Sequence, residues 1–482
     1  MTNIVPVTVA YGDGIGPEIM EVVLNILQQA EAQIRVEIIE IGEKLYKKNY
    51  TSGIALDTWE SIERTKVLLK APITTPQGGG YKSLNVTLRK ALGLYANVRP
   101  AISYYPFVTT LHPKLDVVIV RENEEDLYAG IEYRHTRNMR ESVKCVSRTG
   151  CEKIIRYAFE YAISNNRKKV TCFSKDNIMK FSDGLFHQVF NEIAKEYPQI
   201  QHDHYLVDIG SAKLATQPEI FDVVVTSNLF GDIISDITAE ISGSVGLAGS
   251  ANIGQNHAMF EAIHGSAPDI AGQNIANPSG LLHGAIMMLV HIGQGKIANL
   301  IENAWKKNIE DGIHTPDIYN SQTSTKKVGT KEFAEAVIER LGKTPSTMSV
   351  ANYQDTILSS AKQATFKIDT SERKNLVGVD IYVDIHTQYA HEIADKINGL
   401  NNTNLVLKTI AAKGLMLWPR HDQPSMESDH WCCRFMPDKG TISHQEISNL
   451  LAQIAKENID FIKVENLYEY DNKRGYSLAQ GE

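Results

Sequence analysis

The sequence contains few cysteines, and their arrangement indicates neither a cross-link nor a metal site. Five cysteines occur in 482 residues, without a Cys-x-x-Cys pair or a Cys/His spacing of the zinc-binding kind. Cys432 and Cys433 are adjacent, and a disulfide between them would be strained. The sequence therefore argues against a disulfide framework and a structural zinc site, and it predicts a reduced, cytoplasmic setting.

A long hydrophobic run and an excess of basic residues are also missing. The longest apolar stretch, GLLHGAIMMLVHIG (280–293), is too short and too interrupted to span a bilayer, and the N-terminal MTNIVPV has no signal-peptide pattern. The formal net charge of -8 argues against nucleic acid as a partner. We therefore expect neither a membrane nor a nucleic-acid partner. The chain is long enough for two or three globular domains.

Short β-rich runs alternate with helical patterns over roughly the first 340 residues. Such alternation predicts an α/β fold with a largely parallel or mixed sheet. The predicted strands are 5–10, 36–41, 67–72, 115–121, 168–174 and 221–227, and the predicted helices include 18–30 and 152–164.

A polar segment at 343–370 predicts a linker. Beyond it, strand patterns at 376–384, 404–411, 431–436 and 459–467 alternate with helical patterns in the order βαββαβ. This order predicts a small C-terminal α+β domain of the ferredoxin-like kind. The domain contains no catalytic pattern, so we expect it to stabilise the protein or to form a dimer contact.

The stretch YGDGIGPE (11–18) stands between an apolar run and a helical pattern, where a dinucleotide-binding fingerprint would lie. Its glycines follow GxGxGP, so the third glycine comes one residue early for GxGxxG. Pro17 also removes an N–H group from the helix start. The stretch therefore departs from the fingerprint that it imitates.

Three arginines, together with Ser83 and Asn85, form one group of candidate binding residues. Ser83, Asn85 and Arg89 can lie towards one side of a helix, Arg99 follows just past it, and Arg121 ends LDVVIVR. Guanidinium groups bind carboxylates bidentately, so the pattern is typical of a site for a polycarboxylate. The spacing alone favours this interpretation no more than ordinary solvated arginines.

Further polar residues in loops and on one helix are candidates for proton transfer and metal binding. Tyr128 in RENEEDLYAG and Lys175 in FSKDNIMKF follow β-rich runs and could transfer protons, although most tyrosines and lysines do not. Asp232 and Asp236 share one helical face, which suits Mg²⁺ or Mn²⁺ but also suits the dipole at a helix start. A third carboxylate, Asp208, comes earlier in the chain.

A loop rich in Gly, Ser, Pro and Asn, FEAIHGSAPDIAGQNIANPSG (260–280), offers backbone donors for nucleotide phosphates, or is an ordinary turn-rich connection. Taken in order, these motifs resemble the isocitrate and isopropylmalate dehydrogenase family. The resemblance covers roughly residues 4–340, and the tail resembles the C-terminal domain of Thermus-type isocitrate dehydrogenases. It is carried by YGDGIGPE, TTPQGGG, SLNVTLRK, NVRP, RENEEDLYAG, NIMKF, NLFGDIISD and HGSAP followed by NP.

The resemblance implies the fold of that family, which has a mixed sheet and is distinct from a Rossmann domain. It implies a large cofactor-binding domain from 1–100 and 257–342, and a small substrate, metal and dimer domain from 101–256. The linker at 343–370 and the α+β domain at 371–482 would follow. In this family GDGIGP is not the pyrophosphate loop, and the cofactor lies largely against HGSAPDIAG.

The resemblance also implies roles for individual residues. The residues that grip isocitrate would be Ser83, Asn85, Arg89, Arg99 and Arg121. Tyr128 would be the acid, and Lys175 the residue on the base side, contributed by the other subunit. The ligands of Mg²⁺ or Mn²⁺ would be Asp232, Asp236 and, from the partner chain, Asp208. The cofactor contacts would be Thr74, His264, Gly265, Ser266, Ala267, Pro268, Asp269, Ile270 and Asn277. An active site shared between chains implies a homodimer.

The implied reaction is the oxidative decarboxylation of isocitrate to 2-oxoglutarate and CO₂ in the tricarboxylic acid cycle. Ser83 and Asn85 favour isocitrate over 3-isopropylmalate, because they can hydrogen-bond a third carboxylate where isopropylmalate enzymes present an apolar pocket. Homoisocitrate and tartrate are weaker alternatives. A non-catalytic regulatory subunit is another, although such a chain would be expected to lose some of the catalytic and metal-binding residues, and all are present.

The choice of cofactor rests on Asp269 and Ile270. NADP-dependent isocitrate dehydrogenases typically carry Lys-Tyr at this pair, because the 2′-phosphate requires a cation. An aspartate would repel that phosphate and could accept a hydrogen bond from a free ribose hydroxyl. The sequence therefore predicts NAD as the preferred cofactor, with NADP as the alternative.

Overall fold

The computed structural model describes residues 4–47, 53–75, 83–354, 371–398, 400, 404–420 and 425–482. Residues 76–80 of the TTPQGGG motif and residues 355–370 of the predicted linker lie outside these ranges. The chain forms two compact units, Met1–Ala129 with Lys144–Ala364, and Gly130–Val143 with Thr365–Glu482. The predicted small domain at 101–256 is thus interrupted by a segment that groups with the C-terminal residues.

The bounds of the elements are as follows. The strands are β1 (Val5–Ala10), β2 (Ile34–Ile39), β3 (Val67–Lys70), β4 (Ala96–Ile102), β5 (Asp116–Glu122), β6 (Glu132–Arg134), β7 (Arg140–Ser142), β8 (Lys169–Ser174), β9 (Gln201–Leu206), β10 (Val223–Thr226), β11 (Gly249–Ile253), β12 (Ala258–Ala262), β13 (Ile313–His314), β14 (Lys326–Lys327), β15 (Lys374–Val383), β16 (Leu405–Ala412), β17 (Leu415–Trp418), β18 (Trp431–Pro437), β19 (Phe461–Tyr470) and β20 (Lys473–Arg474). The helices are α1 (Gly16–Gln29), α2 (Glu43–Lys47), α3 (Leu56–Thr65), α4 (Leu84–Ala91), α5 (Arg148–Ser164), α6 (Ser182–Ala194), α7 (Val207–Thr216), α8 (Asn228–Ile241), α9 (Ser279–His291), α10 (Gly295–Glu310), α11 (Thr330–Ile338), α12 (Ala390–Ile397) and α13 (His444–Lys456).

One mixed ten-stranded sheet organises the first unit, in the order β2-β1-β3-β12-β11-β4-β5-β10-β8-β9. The outer groups β2-β1-β3-β12 and β5-β10-β8-β9 are parallel. Antiparallel pairings through β11 and β4 join the two groups. This topology confirms the predicted mixed sheet and its difference from a Rossmann domain.

Helices cover both faces of this sheet. In β5, Val118 and Val120 pack into the core with α1, α5, α6 and α9, whereas Val117 and Ile119 pack on the opposite face with residues of α7 and α8. Such alternation follows from the two-residue period of a strand, and a run that is apolar at every position is what a strand covered on both sides requires. Within the described part of the chain, no helix is long and apolar enough to cross a membrane.

The second unit contains an antiparallel sheet in the order β17-β16-β18-β15-β19-β20. The four longer strands and the helices α12 and α13 follow the predicted βαββαβ order, and the central order β16-β18-β15-β19 is the ferredoxin-like one. Edge strands β17 and β20 are additions that the sequence patterns did not predict. The β6–β7 hairpin belongs to this unit through contacts such as Lys463 Nζ to Glu141 Oε1, at 2.6 Å.

The first part of the predicted linker packs against α10 rather than standing apart. Glu310 accepts hydrogen bonds from the N–H groups of Ser346, Thr347 and Met348. Asn303 and Asn299 extend the same contact to residues 351 and 353. Residues 343–354 therefore form part of the first unit.

Candidate active site

Two buried arginines meet one carboxylate near the middle of the ten-stranded sheet. Arg99 on β4 and Arg121 on the neighbouring β5 both reach Asp232 on α8. Arg121 also donates through Nη2 to Asn228 Oδ1, at 2.7 Å. Arg99 Nη1 lies 3.2 Å from Asp232 Oδ1 and 3.5 Å from Asp236 Oδ1. The antiparallel pairing of β4 and β5 is what brings the two guanidinium groups to one place.

Arg89 is the third predicted arginine, and a buried glutamate holds it. Arg89 Nη2 donates to Glu261 Oε1 at 3.0 Å, and Lys70 Nζ lies 2.6 Å from Glu261 Oε2. Burial opposes ionisation of Glu261, but Lys70 and Arg89 hold the pKa of this carboxyl well below its usual range. The Nε of Arg89 is buried and has no hydrogen-bond partner among the described residues, so it can take a further anion.

The concentration of positive charge affects the arginines themselves. Burial, with Arg99 and Arg89 nearby, lowers the pKa of Arg121 to about 9. Burial also lowers the pKa of Arg99, although Asp232 opposes this shift. Desolvated cations that lie near one another are stabilised by an anionic ligand, because the attraction is strong where water is excluded. The cluster therefore favours a ligand with several carboxylates.

Ser83 and Asn85 lie at the start of α4, on the same helix as Arg89. Thr75 Oγ1 donates to the Ser83 hydroxyl at 3.2 Å. Asn85 Oδ1 is buried and has no hydrogen-bond partner among the described residues. Buried amide groups are normally paired, so a polar group of a ligand could complete this site.

Tyr128 joins the same cluster. It lies in a 3₁₀ turn after β5, its hydroxyl donates to Asp232 Oδ2, and the Arg121 guanidinium carbon is 4.9 Å from the ring centre. Burial raises the pKa of Tyr128, with Asp232 adding to the shift and Arg121 opposing it. The tyrosine is therefore neutral near pH 7 and can donate a proton.

Asp232 and Asp236 stand one turn apart on α8, and their pKa values are shifted in opposite directions. Burial opposes the charged form of Asp232, but Arg121 and Arg99 outweigh it and lower the pKa of this carboxyl. Burial raises the pKa of Asp236, and Arg99 opposes this only in part. Two carboxylates on one face, with side chains 35% and 63% exposed, fit the preference of Mg²⁺ and Mn²⁺ for hard oxygen ligands.

Lys175 and Asp208 form a separate pair. Lys175 Nζ lies 3.0 Å from Asp208 Oδ1, and the Asp208 side chain is 63% exposed. No described contact joins this pair to Asp232 or Asp236. Within one chain the structure therefore does not bring the three predicted metal ligands together. Their meeting between two subunits stays a prediction.

A different group of ligand-type side chains lies close together. Among the described residues, Asp176, His187 and His204 have ligand atoms within 4.8 Å of one another. The two imidazole rings stack with centroids 3.7 Å apart and planes 14° apart. Nitrogen lone pairs lie in the planes of the rings, so those of two stacked, nearly parallel rings do not converge on one ion. Hydrogen bonds to Asp176 (2.7 Å from His187) and Ser174 (2.8 Å from His204) account for this group instead.

The glycine stretch at the N-terminus packs against the predicted cofactor loop. Ile15 N donates to Ser266 O at 2.9 Å, and a Cβ on Gly14 would lie 1.9 Å from the same oxygen. Asp13 Oδ2 accepts from Thr74 N at 3.0 Å, and Thr74 Oγ1 lies 2.9 Å from Ser266 Oγ. The stretch therefore positions Thr74 and Ser266, two of the predicted cofactor contacts.

The remainder of the predicted cofactor loop presents polar atoms and open backbone. Gly265, Pro268 and Asp269 are exposed, whereas His264, Ala267 and Ile270 are half-buried. Burial lowers the pKa of His264, and its buried Nε2 has no hydrogen-bond partner among the described residues. Asn277 is buried and donates to Asp317 Oδ2 at 2.9 Å. These groups are arranged to accept a polar ligand along residues 264–277.

Comparisons with known proteins identify the family. Residues 6–337 match isocitrate/isopropylmalate dehydrogenase, and residues 374–482 match the C-terminal domain of bacterial isocitrate dehydrogenase. The chain belongs to the isocitrate/isopropylmalate dehydrogenase family. It is 69% identical to an NADP isocitrate dehydrogenase of Rickettsia felis, over 100% of both chains.

Two more distant proteins agree with this chain, one in sequence and the other in sequence and fold. The NADP isocitrate dehydrogenase of Thermus thermophilus is 40% identical over 99% of this chain and 96% of its own. The crystal structure of the TT0538 protein from Thermus thermophilus is similar with a TM-score of 0.93, at 39% identity, over 99% of this chain and 96% of that chain. The resemblance inferred from the motifs is confirmed. The names of these relatives do not support the predicted preference for NAD.

Sequence patterns did not find the residues that hold the arginines of this family member in place. Lys70 ends the strand VLLK, and Glu261 lies within the buried strand AMFEA. A single charge inside an apolar strand requires a partner when it is buried, and this could have marked both residues. The amides and hydroxyl that complete the network are Asn97, Asn228, Asn252 and Ser235.

Proposed function

We propose that this protein is an isocitrate dehydrogenase, which oxidises and decarboxylates isocitrate to 2-oxoglutarate and CO₂ with NADP and with Mg²⁺ or Mn²⁺. The observation that carries the proposal is the convergence of Arg99 and Arg121 on Asp232 beside Arg89. Three guanidinium groups in one buried place match the charge of a tricarboxylate. The 69% identity to an isocitrate dehydrogenase over the whole chain supports the same substrate.

The choice between isocitrate and 3-isopropylmalate depends on the start of α4. Ser83 and Asn85 present a hydroxyl and an amide, whose O–H and N–H₂ groups are hydrogen-bond donors. An isopropyl group would leave these polar groups unsatisfied, whereas a carboxylate can pair with their donors. The site therefore favours isocitrate.

Different residues of the chain have different roles in the proposed reaction. The three arginines bind and orient the carboxylates. Asp232 and Asp236, with Asp208 contributed by a second subunit, would hold the divalent cation, which supplies Lewis acidity to the substrate oxygens when bound.

Lys175 would accept the proton of the substrate hydroxyl, and the nicotinamide, when bound, would supply the hydride acceptor. The resulting β-keto acid can lose CO₂, and Tyr128 then supplies a proton to the carbon that carried it.

The same geometry supports a homodimer with shared active sites. Lys175 and Asp208 pair with each other at a solvent-exposed place, and they are not in contact with the cluster that would need them. A second copy of the chain can supply both residues to that cluster. Closed twofold assemblies are the commonest homo-oligomers, and they exchange identical surfaces in this way.

The names of the relatives favour NADP as the cofactor, whereas one residue of this chain, Asp269, favours NAD. Relatives that match this chain over its full length are NADP enzymes by name, and we adopt NADP for this reason. NAD is the second candidate, because Asp269 is exposed and its carboxylate forms no ion pair with the described residues. A free carboxylate suits a ribose hydroxyl and repels a 2′-phosphate.

Steady-state kinetics of the purified protein test the proposed substrate. We expect activity on isocitrate with Mn²⁺, no activity after chelation, and a kcat/KM for 3-isopropylmalate lower on the order of 10³-fold or more. A preference for 3-isopropylmalate would overturn the proposal. Complete inactivity on isocitrate with both cofactors would favour the regulatory-subunit alternative.

The variant Asp269→Lys tests the cofactor assignment. If NADP is the natural cofactor, the wild-type protein has the higher kcat/KM with NADP, and Asp269→Lys changes the NADP/NAD ratio little. If NAD is the natural cofactor, the same variant shifts the ratio towards NADP by about tenfold or more, since one new cation faces the phosphate. Glu219→Lys, which makes the same charge change at an exposed site in a 3₁₀ turn, is the control and should leave the ratio unchanged.

A further inference from the structure

Lys144 lies between two carboxylates and has no role of its own in the proposed reaction. Its ammonium lies 2.8 Å from Asp183 Oδ1 and 3.3 Å from Asp126 Oδ1, and 4.8 Å from the ring centre of Phe230 on α8. The side chain of Lys144 is only 13% exposed, and both carboxylates are buried. Charges buried in this way are costly, and each of the two carboxylates depends on the shared cation.

Asp126 connects Lys144 to one part of the candidate active site. It lies two residues before Tyr128, and its backbone carbonyl accepts the N–H of Ala129 within the same turn. Its Oδ2 accepts the N–H of Leu229, at 2.8 Å, in the first turn of α8. Asp126 therefore fixes the turn that carries Tyr128 relative to the helix that carries Asp232.

Asp183 connects Lys144 to the other part. It lies in the first turn of α6, and its Oδ2 accepts the backbone N–H of Lys175, at 2.6 Å. The backbone from which the Lys175 side chain extends is therefore held by the same carboxyl group that Lys144 pairs with.

We propose that Lys144 is a positioning residue that holds two turns of one chain in place: the Tyr128 turn with α8, which serves one active site of the dimer, and the Lys175 turn, which serves the other. Its ammonium bridges Asp126 and Asp183, and each carboxylate fixes the backbone of one proton-transfer group. This inference rests on the proposed function, because it is there that Tyr128 and Lys175 transfer protons. Lys144 itself touches none of the residues that bind the substrate.

The variant Lys144→Met tests the proposal, because it keeps an unbranched side chain one atom shorter and removes the charge. We expect kcat for isocitrate to fall by about tenfold to a hundredfold, since small displacements of proton-transfer groups are costly. The KM for isocitrate should stay within about threefold, because the three arginines are anchored elsewhere. Lys144→Arg restores a cation and should recover part of kcat.

Lys169→Met is the matched control. Lys169 begins β8, the strand whose other end leads into Lys175, and its ammonium lies 2.8 Å from Asp203. Replacing Lys169 therefore removes an ion pair from the strand that precedes Lys175. This variant should lower the melting temperature at most, with kcat unchanged. An unchanged kcat in Lys144→Met, or an equal loss in both variants, would overturn the proposal, as would a failure of Lys144→Arg to exceed Lys144→Met.

If Lys144→Met does not fold, Asp183→Asn takes its place. Asp183→Asn removes the ion pair but keeps an acceptor for the Lys175 N–H, and it should also lower kcat with little change in KM. Wild-type kcat in folded Asp183→Asn would contradict the proposal. A wild-type protein inactive on isocitrate would instead refute the proposed function, so the two failures are distinguishable.

Discussion

Gly14 approaches Ser266 so closely that a Cβ on Gly14 would lie 1.9 Å from the Ser266 carbonyl oxygen. Gly14 also has a φ of +58°, in the left-handed region that other residues avoid. Both conditions require glycine at this position. The glycines of YGDGIGPE thus allow the first helix to pack against the predicted cofactor loop.

Replacing Gly14 with alanine should destabilise the protein and weaken cofactor binding. The positive φ alone costs about 1 kcal/mol or more, and the overlap with Ser266 adds to it by displacing the loop. We expect a lower melting temperature and a KM for the cofactor that rises several-fold more than the KM for isocitrate. Gly342→Ala is the control, because Gly342 has a φ of +89° and nothing within 4 Å of its added Cβ. Equal kinetic effects in both variants would contradict this account.

Arg121→Lys should impair the use of isocitrate while leaving the protein folded. Arg121 donates to Asn228 from Nε and Nη2 and to Asp232 from Nη1, a planar arrangement that an ammonium group cannot reproduce. We expect kcat/KM for isocitrate to fall on the order of 10²- to 10³-fold, measured by steady-state kinetics. Arg156→Lys, at an arginine paired with Glu196 on the surface, should stay within about twofold of wild type. If kcat/KM of Arg121→Lys falls no further than that of Arg156→Lys, the arginine cluster does not bind isocitrate in the reaction.

Glu122 should make the stability of the protein depend on pH. Burial raises the pKa of Glu122 from 4.5 to about 7, although the N–H groups of Glu124 and Glu125 oppose the shift. The folded protein therefore binds this proton more tightly than the unfolded chain. The stabilisation from this group is complete below pH 4.5 and is lost as the pH rises through about 7.

Glu122→Gln removes this titration, since the amide stays neutral and keeps an acceptor for the same N–H groups. From pH 5 to pH 8 the free energy of unfolding of wild type should fall relative to Glu122→Gln, on the order of 2–3 kcal/mol. Denaturant unfolding of both proteins at the two pH values measures the difference. A constant difference would show that Glu122 has an ordinary pKa in the folded protein.

The sequence predicted the periodic elements of the fold more closely than the irregular ones. The strand predicted at 115–121 is observed at Asp116–Glu122, and the helix predicted at 18–30 is observed at Gly16–Gln29. Their apolar patterns are long and match one period. Strand β11, with the sequence GSANI, was not predicted, because its small and polar residues carry no such pattern and its pairing with β4 and β12 alone makes it a strand.

The ordered motifs predicted which residues belong to the candidate site. They did not predict which of its side chains form ion pairs with one another. Arg89 and Arg121 were identified beforehand, but nothing local in the chain indicates that Glu261 holds Arg89, because β12 meets α4 only in the folded protein. The position of Lys144 between two carboxylates could not be predicted for the same reason, since Asp126 and Asp183 come from separate segments. The relation of Lys175 and Asp208 to the arginine cluster requires a second copy of the chain, which one sequence cannot display.

Hybrid dimers test most directly whether Lys175 of one subunit and the cluster of Tyr128 with the arginines of the other subunit form one isocitrate site. Tyr128→Phe and Lys175→Met should each be nearly inactive alone. When the two variants are mixed and allowed to exchange subunits, each hybrid has one site with both residues intact, so a random mixture should recover about a quarter of wild-type activity on isocitrate. A mixture no more active than either variant, with hybrids shown to be present, would contradict the shared site.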